Sequence, residues 1–576
     1  MKLSPFVYTY QITPNTICLF NSINLKKIYC SKEKYNEIIE CLKNNKKTNL
    51  IKKLIDAKII TENDVYKENI FNKLKKYLKI DIITSYIYLT DKCNFNCKYC
   101  FEDKPKKFNR ITKKDADKIV KIISKNASKR TYKNGERAYQ IFFYGGEPLL
   151  NSEVMFYLTK KLKEIDKINF AFAVNTNGSL ITKRIAKKLK ENEFSVCVSL
   201  DGWEEINDKA RIYNNGKGTF KDILNGIFIL KEYGITPSIS CTLSTHNYNF
   251  TPKLIEFFNY LGIKQVGFNI LMGNQKNQKI NPKVLAYYLF EGFKRAEELE
   301  MSEERIGERR YLFLLAEIPR ISDCVGCGQQ ICFFPNKTMG VCQAFYQNEK
   351  FSVGLDEDFN AYDHPLWKEW SQRSPFYLKC NCPAISICGG GCPYNSYLTY
   401  GCIWKRDKYF CEIMREIIRY LLIYYYYDKV DPIKIKRISY PDLKDFISFF
   451  KDMKKENTLF YNESEEEAGI KAINMNYTQG GIFLIAKKDT RVIGFCNLFG
   501  KEGRAEIGIG VHPKYRNEGI GSLLLDKIIE EAKKRGIKKV YAGIKKDNKK
   551  SINFFNKKGF KLYKKKVDSI LLEKEL

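Results

Sequence analysis

Three thiols, Cys93, Cys97 and Cys100, stand at Cys-x3-Cys-x2-Cys spacing in the segment YLTDKCNFNCKYCFEDK, residues 88–104. One tight loop thus offers three thiolates, one fewer than a four-iron, four-sulfur cube takes. The open iron of such a cube can chelate a small molecule through an amine and a carboxylate. An apolar run from Ile82 to Leu89 precedes the loop, and Phe95, Tyr99 and Phe101 interleave with its cysteines. The alternative is a zinc loop, although zinc sites more often pair two Cys-x2-Cys units.

Further segments set polar groups directly after apolar runs. Tyr144-Gly145-Gly146-Glu147-Pro148 follows one, Asn175-Thr176-Asn177-Gly178 the next, and Ser199-Leu200-Asp201-Gly202 the one after, with Arg211 ten residues beyond Asp201. Any one of these also reads as a helix cap or turn. Together with the triad they resemble the radical SAM superfamily. That resemblance implies a [4Fe–4S] cluster on Cys93, Cys97 and Cys100, with S-adenosylmethionine on its open iron and a 5′-deoxyadenosyl radical as the product of reductive cleavage. It implies that the Gly-Gly-Glu-Pro segment, Gly145, Gly146 and Glu147, holds the amino group of the cofactor, with the Glu147 carboxylate near the ligand. Tyr99, Asn175, Asn177, Ser199, Asp201 and Arg211 would complete the cofactor site, reaching its ribose and carboxylate.

A second cysteine field holds Cys324, Cys327, Cys332 and Cys342, then Cys380, Cys382, Cys388, Cys392, Cys402 and Cys411. Its Cys-x5-Cys-x3-Cys run followed by a distant cysteine resembles the SPASM/twitch extension, which implies two auxiliary [4Fe–4S] clusters and three clusters in all. By that resemblance Cys327, Cys332, Cys342 and Cys392 hold the first, and Cys380, Cys382, Cys388 and Cys411 the second. Two features depart from the family: Cys380-Asn381-Cys382 replaces a Cys-x2-Cys pair, and Lys337 stands where glycine is usual. Cys324 and Cys402 are left as spares, and zinc ribbons are the competing reading. The 19 cysteines of a chain in a reducing compartment argue for ligation rather than disulfides, and the three histidines, His246, His364 and His512, leave little for imidazole-rich metal chemistry.

Near the C-terminus Ala505–Val511 reads as a strand that runs into His512-Pro513-Lys514-Tyr515-Arg516-Asn517-Glu518-Gly519-Ile520-Gly521-Ser522 and then a helix to Lys534. A strand, a basic glycine turn and a helix N-terminus make a pyrophosphate cradle of backbone N–H groups. With Asn548, Ser551 and Phe554 to Phe560 following, the segment resembles a GNAT acetyltransferase. The resemblance implies acetyl-coenzyme A held by Val511, Arg516, Gly519, Gly521 and Asn548. Phe555 stands where many such enzymes carry a tyrosine acid, and phenylalanine has no proton to give. Glu506 is a candidate base, directly or through water, or else a solvent-facing strand residue.

The elements that must position these groups form an α/β multidomain pattern. Between 82 and 301, apolar strand candidates Tyr86–Leu89, Gln140–Tyr144, Phe170–Asn175, Ser195–Leu200, Ser238–Leu243 and Gln265–Leu271 alternate with lysine-rich amphipathic helices. Six such units imply a partial (β/α)6 barrel with its chemistry at the carboxyl ends of the strands. Residues 302–428 form the cysteine-rich extension and 436–576 the GNAT α/β fold. Residues 1–81 read as a small winged-helix-like α+β domain, which in peptide-modifying radical enzymes grips a leader peptide and otherwise caps the barrel.

At 576 residues and 44% hydrophobic content the chain can bury several cores. No signal peptide is visible, and the apolar stretch 417–430 is too short to span a bilayer and contains Arg419, so a soluble cytoplasmic protein is expected. The net charge of +33 reads as a lysine-coated surface, or as affinity for nucleic acid or an acidic peptide. The expected activity is hydrogen abstraction from a precursor peptide or protein, with a flavodoxin- or ferredoxin-type reductant, an acidic leader and a fused acetyl transfer. A sulfatase-maturing enzyme is a close variant. A tRNA-modifying enzyme of the Elongator catalytic type is opposed by the short first cysteine gap and by the SPASM field. An iron–sulfur sensor would use the same parts without catalysis.

Overall fold

The computed structural model describes residues 1–576 except 14, 63–71, 101–107, 272–279, 379, 431, 455–463, 477–480, 489, 490 and 502. Phe101 therefore lies outside the described residues. The chain separates into two compact units. The first comprises Met1–Tyr8, Leu19–Lys27 and Cys41–Leu421, and the second Thr9–Cys18, Ile28–Glu40 and Leu422–Leu576.

The N-terminal segment mixes short strands and helices. β1 (Lys2–Leu3) pairs antiparallel with β5 (Ile60–Thr61), while β2 (Val7–Thr13), β3 (Thr16–Asn21) and β4 (Lys27–Ser31) form a three-stranded sheet. The helices Lys32–Lys43 and Asn49–Asp56 follow, the second started by Thr48, whose hydroxyl accepts the Ile51 N–H.

The first unit is built on a ten-stranded sheet. Its central run is parallel and in sequence order: β6 (Thr84–Tyr88), β7 (Tyr139–Tyr144), β8 (Phe170–Thr176), β9 (Ser195–Ser199), β10 (Ser238–Leu243), β11 (Gln265–Ile270) and β12 (Ser302–Glu303). On the other side of β6 come β13 (Gln330–Phe333), parallel to it, then the antiparallel β14 (Thr338–Gly340) and β15 (Ser352–Gly354). All six strands expected from the sequence are present, and each is followed by a helix. The sheet also recruits β12 and β13, too short and too cysteine-rich to read as strands. Local signals fix the helices. Thr112 and Asp115 form a reciprocal capping box on Lys113–Asn126, and Ile119, Ile122 and Ile123 of that helix are buried.

The second unit carries a seven-stranded sheet ordered β16-β17-β18-β19-β20-β22-β21. Its strands are β16 (Ile433–Arg437), β17 (Gly481–Lys488), β18 (Arg491–Lys501), β19 (Arg504–Val511), β20 (Lys539–Lys545), β21 (Lys561–Lys565) and β22 (Ser569–Glu575). β19 pairs antiparallel with β18 along its whole length but parallel with β20 only at Arg504–Glu506. Past Glu506 the two parallel strands part. Among the described residues no helix is long and apolar enough to cross a membrane.

Candidate functional site

A cavity of about 910 Å3 lies at the carboxyl ends of the parallel strands. Cys93, Cys97 and Cys100 line it from the loop after β6, and Gly145, Gly146, Glu147, Asn175, Asn177, Ser199 and Arg211 from the strands beside it. The loop is pinned from below: the Asn96 and Lys98 N–H groups donate to the Ile212 and Ala210 carbonyls, and the Asn177 Nδ2 lies 4.0 Å from Cys93 Sγ. Gly145 has a φ of +133°, and a Cβ there would stand 2.4 Å from the Thr90 carbonyl oxygen. Only glycine brings β7 this close to the cysteine loop.

Two expected cofactor contacts, Glu147 and Asp201, also have protein partners. Glu147 lines the cavity but is fully buried. Its carboxylate accepts from the Leu149 N–H (3.0 Å), the Thr176 hydroxyl (2.7 Å) and the Asn177 N–H (2.7 Å), so it fastens the end of β8. Burial raises its pKa to about 7 against the pull of those three donors. Asp201 does not line the cavity. It is 2% exposed and grips Arg211 with both oxygens, at 3.0 Å from Nε and 3.2 Å from Nη2, while accepting the Thr242 N–H (2.9 Å) and the Tyr99 hydroxyl. Tyr99 and Arg211 face the cavity and Asp201 stands behind them. Burial works against the Arg211 charge, yet Asp201 and Tyr99 hold its pKa above the ordinary value.

The cavity has a wall that motif reading missed. Arg305 and Arg309 belong to a π-helix, Glu304–Tyr311, directly after β12, and Arg320 joins them. Glu303 caps this helix, its carboxylate accepting the Arg305, Ile306 and Gly307 N–H groups. Arg309 pairs with Glu304, and Arg310 meets Asp323 at 2.8 Å, while the Arg305 guanidinium donates to the Phe268 carbonyl and the Asn269 amide oxygen. Against the upward push of burial, Arg310, Arg320, Arg309 and Arg305 hold the Asp323 carboxyl well below its usual range. An isolated cluster of arginines has no spacing rule, so only π-bulge placement at a strand end could have flagged it.

The two cysteine fields assemble separately. Cys380, Cys382, Cys388 and Cys411 line one small pocket. In the other field, burial and then Cys327 and Cys392 push the Cys324 thiol up; Cys324 likewise acts on Cys332 and on Cys342. Cys324, expected to be a spare, is thus the residue the other four share, and it lines the large cavity with Cys392. Cys402 stays apart from both sets, its sulfur accepting the Trp404 N–H at 3.3 Å. Among the described residues no three Cys, His, Asp or Glu side chains are drawn in to single-ion distance. The thiols instead ring volumes, and thiolate sets of this kind suit clusters held by cysteine.

In the second unit the basic turn has a defined shape. Gly519, at φ +83°, caps the helix Ile520–Lys534, and a Cβ there would stand 3.1 Å from the Tyr427 hydroxyl, which donates to the Glu518 carbonyl. Arg516 Nε donates to the Val511 carbonyl at 3.1 Å, which folds the turn over the end of β19, and Gly521 packs beneath against Val511 and Phe554. Asn548 is a helix cap: its Oδ1 accepts the Ser551 N–H at 3.0 Å. Phe555 is 6% exposed and packs edge-on to Phe560, so it is core rather than a site residue. Glu506 sits where β19 and β20 part, its Oε1 3.3 Å from the place of a Cβ on Gly543.

Two parts of the chain match known families. Residues 87–243 match the Radical SAM superfamily and residues 447–560 the Acetyltransferase (GNAT) family. An uncharacterized protein of Methanocaldococcus jannaschii is 34% identical over 193 residues, 33% of this chain and 62% of that relative, so the chain spans under two thirds of its length. The radical SAM cyclopropyl synthase TigE of Paramaledivibacter caminithermalis is 23% identical over 471 residues, covering 73% of this chain and 96% of the relative. The solved structure of native anSMEcpe with bound AdoMet covers 60% of this chain and 99% of its own at a TM-score of 0.51 and 20% identity, a likeness of fold. The chain carries a radical SAM domain followed by a C-terminal GNAT acetyltransferase domain.

Proposed function

We propose that this chain cleaves S-adenosylmethionine reductively, takes a hydrogen atom from a peptide or protein substrate, and uses its C-terminal domain to acetylate an amine. The observation that carries this reading is the single cavity in which the Cys93, Cys97 and Cys100 thiols meet the polar ends of β7 to β9 on one side and Cys324 and Cys392 on another. A cluster held by Cys93, Cys97 and Cys100 supplies, when bound with S-adenosylmethionine, one-electron cleavage to a 5′-deoxyadenosyl radical.

The chain's own residues do the rest. Arg211, held charged by Asp201, offers a guanidinium to a cofactor carboxylate, and Tyr99 is fixed beside it. Glu147 keeps Asn177 aimed at the cysteine loop through Thr176 and the Asn177 backbone. Auxiliary clusters on Cys380, Cys382, Cys388 and Cys411, and on four of the five cysteines Cys324, Cys327, Cys332, Cys342 and Cys392, would carry electrons away from the modified substrate. The strands β6 to β11 serve as the partial barrel, and the N-terminal strands and helices as a winged-helix-like grip for a leader peptide. A small acidic leader suits the lysine-rich surface, and a flavodoxin-type reductant suits the first electron transfer. The relatedness to a radical SAM cyclopropyl synthase supports the radical chemistry.

The test is anaerobic reconstitution with iron, sulfide and S-adenosylmethionine, then assay of 5′-deoxyadenosine. Product is expected from the native chain and none from Cys97→Ala, and peptides encoded beside the gene should accelerate it. Acceleration by tRNA alone would overturn the peptide reading.

A further inference from the structure

The second unit holds a cavity of about 250 Å3 between the helices Leu443–Lys454 and Glu465–Met475 and the strands β17 and β18. Phe446, Phe450, Phe483, Phe495 and Phe499 line it around one amide, Asn497. Lys471, exposed, is the one charged residue among the described lining. An apolar cavity of about 150 Å3 already accepts benzene, so this one has room for a ring-sized group.

The amide is the informative part. Asn497 Oδ1 is shut from solvent and has no hydrogen-bond partner. A buried acceptor left unpaired forfeits its hydration without return, so natural proteins rarely keep one without a use. Across the sheet Asn497 faces Phe483 on β17 and Gly508 on β19, and a Cβ at Gly508 would stand 2.3 Å from that oxygen. Phe499, two residues along and 59% exposed at the rim, faces Glu506. Cross-strand partners share a face, so the cavity, the orphan oxygen and the Glu506 carboxylate lie in a row that ends where β19 and β20 separate.

We propose that this cavity is the acceptor site of the GNAT domain and takes a primary amine bearing an aromatic or similar ring-sized apolar group, with Asn497 Oδ1 accepting one N–H of that amine. The inference rests on the acetyl-coenzyme A reading of the domain. In the step, the amine nitrogen forms a C–N bond to the acetyl carbon and the C–S bond of the thioester breaks. Glu506 receives the amine proton, directly or through water, and coenzyme A leaves as a thiolate that water protonates, since Phe555 carries no acid.

Calorimetry on the full chain tests this. Coenzyme A is titrated first, then phenethylamine, propylamine or spermidine into the coenzyme A-loaded protein. Phenethylamine should bind at least tenfold tighter than the other two. Ala472→Phe, which fills the cavity, should lose it, and the nearly isosteric Asn497→Leu should weaken it about tenfold, with coenzyme A binding reporting in each variant that the domain is folded. Coenzyme A binding without a phenethylamine preference, or an unchanged phenethylamine affinity in Asn497→Leu, overturns the inference alone. No coenzyme A binding by the native chain overturns the acetyltransferase reading and the inference with it.

Discussion

Asp201→Asn tests whether Asp201 acts on the proposed cofactor site through Arg211. The carboxylate is 2% exposed and makes a two-oxygen pair with a guanidinium that is itself 7% exposed. Removing one partner of such a pair leaves a buried charge uncompensated, which costs about 3–5 kcal/mol. Arg211→Met should cost a similar amount, because Asp201 is then the stranded charge. The double variant removes both charges and should recover about half of the summed loss, a coupling of about 3–5 kcal/mol. Cofactor affinity should follow another pattern. Losing one charge-assisted hydrogen bond costs about 1.5–3 kcal/mol, which is roughly ten- to a hundredfold in Kd at 1.4 kcal/mol per decade. If Asp201 works only through Arg211, the double variant binds S-adenosylmethionine no more weakly than Arg211→Met alone. Urea unfolding of the first unit gives the stabilities, and calorimetry with S-adenosylmethionine on the reconstituted protein gives the affinities. Additive losses of affinity would refute the positioning role, and an Asp201→Asn protein as stable as the native chain would refute the energetics.

Other perturbations read other parts of the chain. Cys324→Ser should lower bound iron by about four per chain from about twelve, whereas Cys402→Ser should leave it unchanged, as colorimetric iron and sulfide analysis would report. Glu147 has a folded pKa of about 7 against an ordinary 4.5, so the folded state holds the proton more tightly and its stability falls as pH rises from 4.5 to 7. In urea titrations of the apoprotein, Glu147→Gln should flatten that slope, and an unchanged slope would count against a buried protonatable carboxyl. Gly519→Ala forces a side chain into left-handed backbone 3.1 Å from the Tyr427 hydroxyl and should weaken coenzyme A binding about tenfold. Gly503→Ala, at φ +79° with open space around it, carries similar strain and should leave that binding intact.

The groups with fixed local spacing were readable from the sequence. Cys93, Cys97 and Cys100 share one loop, the six apolar runs became six parallel strands, and the glycine turn after β19 became a helix N-terminus. Each depends on neighbours within a few residues, where spacing and backbone geometry suffice. Side-chain partners distant in the chain were not readable. Glu147 and Asp201 were read as cofactor ligands because polar residues at strand ends face the site. Both are buried against protein partners, Thr176 and Asn177 in one case and Arg211 in the other. Asn548 and Phe555 matched motif positions, yet one caps a helix and the other fills the core.

By itself the sequence determined the chemistry on offer: a three-thiolate loop, a second cysteine field, and a backbone cradle built on Gly519. Those are properties of residue type and short spacing. Only the tertiary structure decided which groups meet. It brought Cys324 among Cys327, Cys332, Cys342 and Cys392, raised a wall of arginines from a π-helix beside the radical loop, and left the Asn497 oxygen unpaired in a ring of phenylalanines. Burial and pairing energies act through space, between residues as far apart in the chain as Cys324 and Cys392, and no local pattern encodes them.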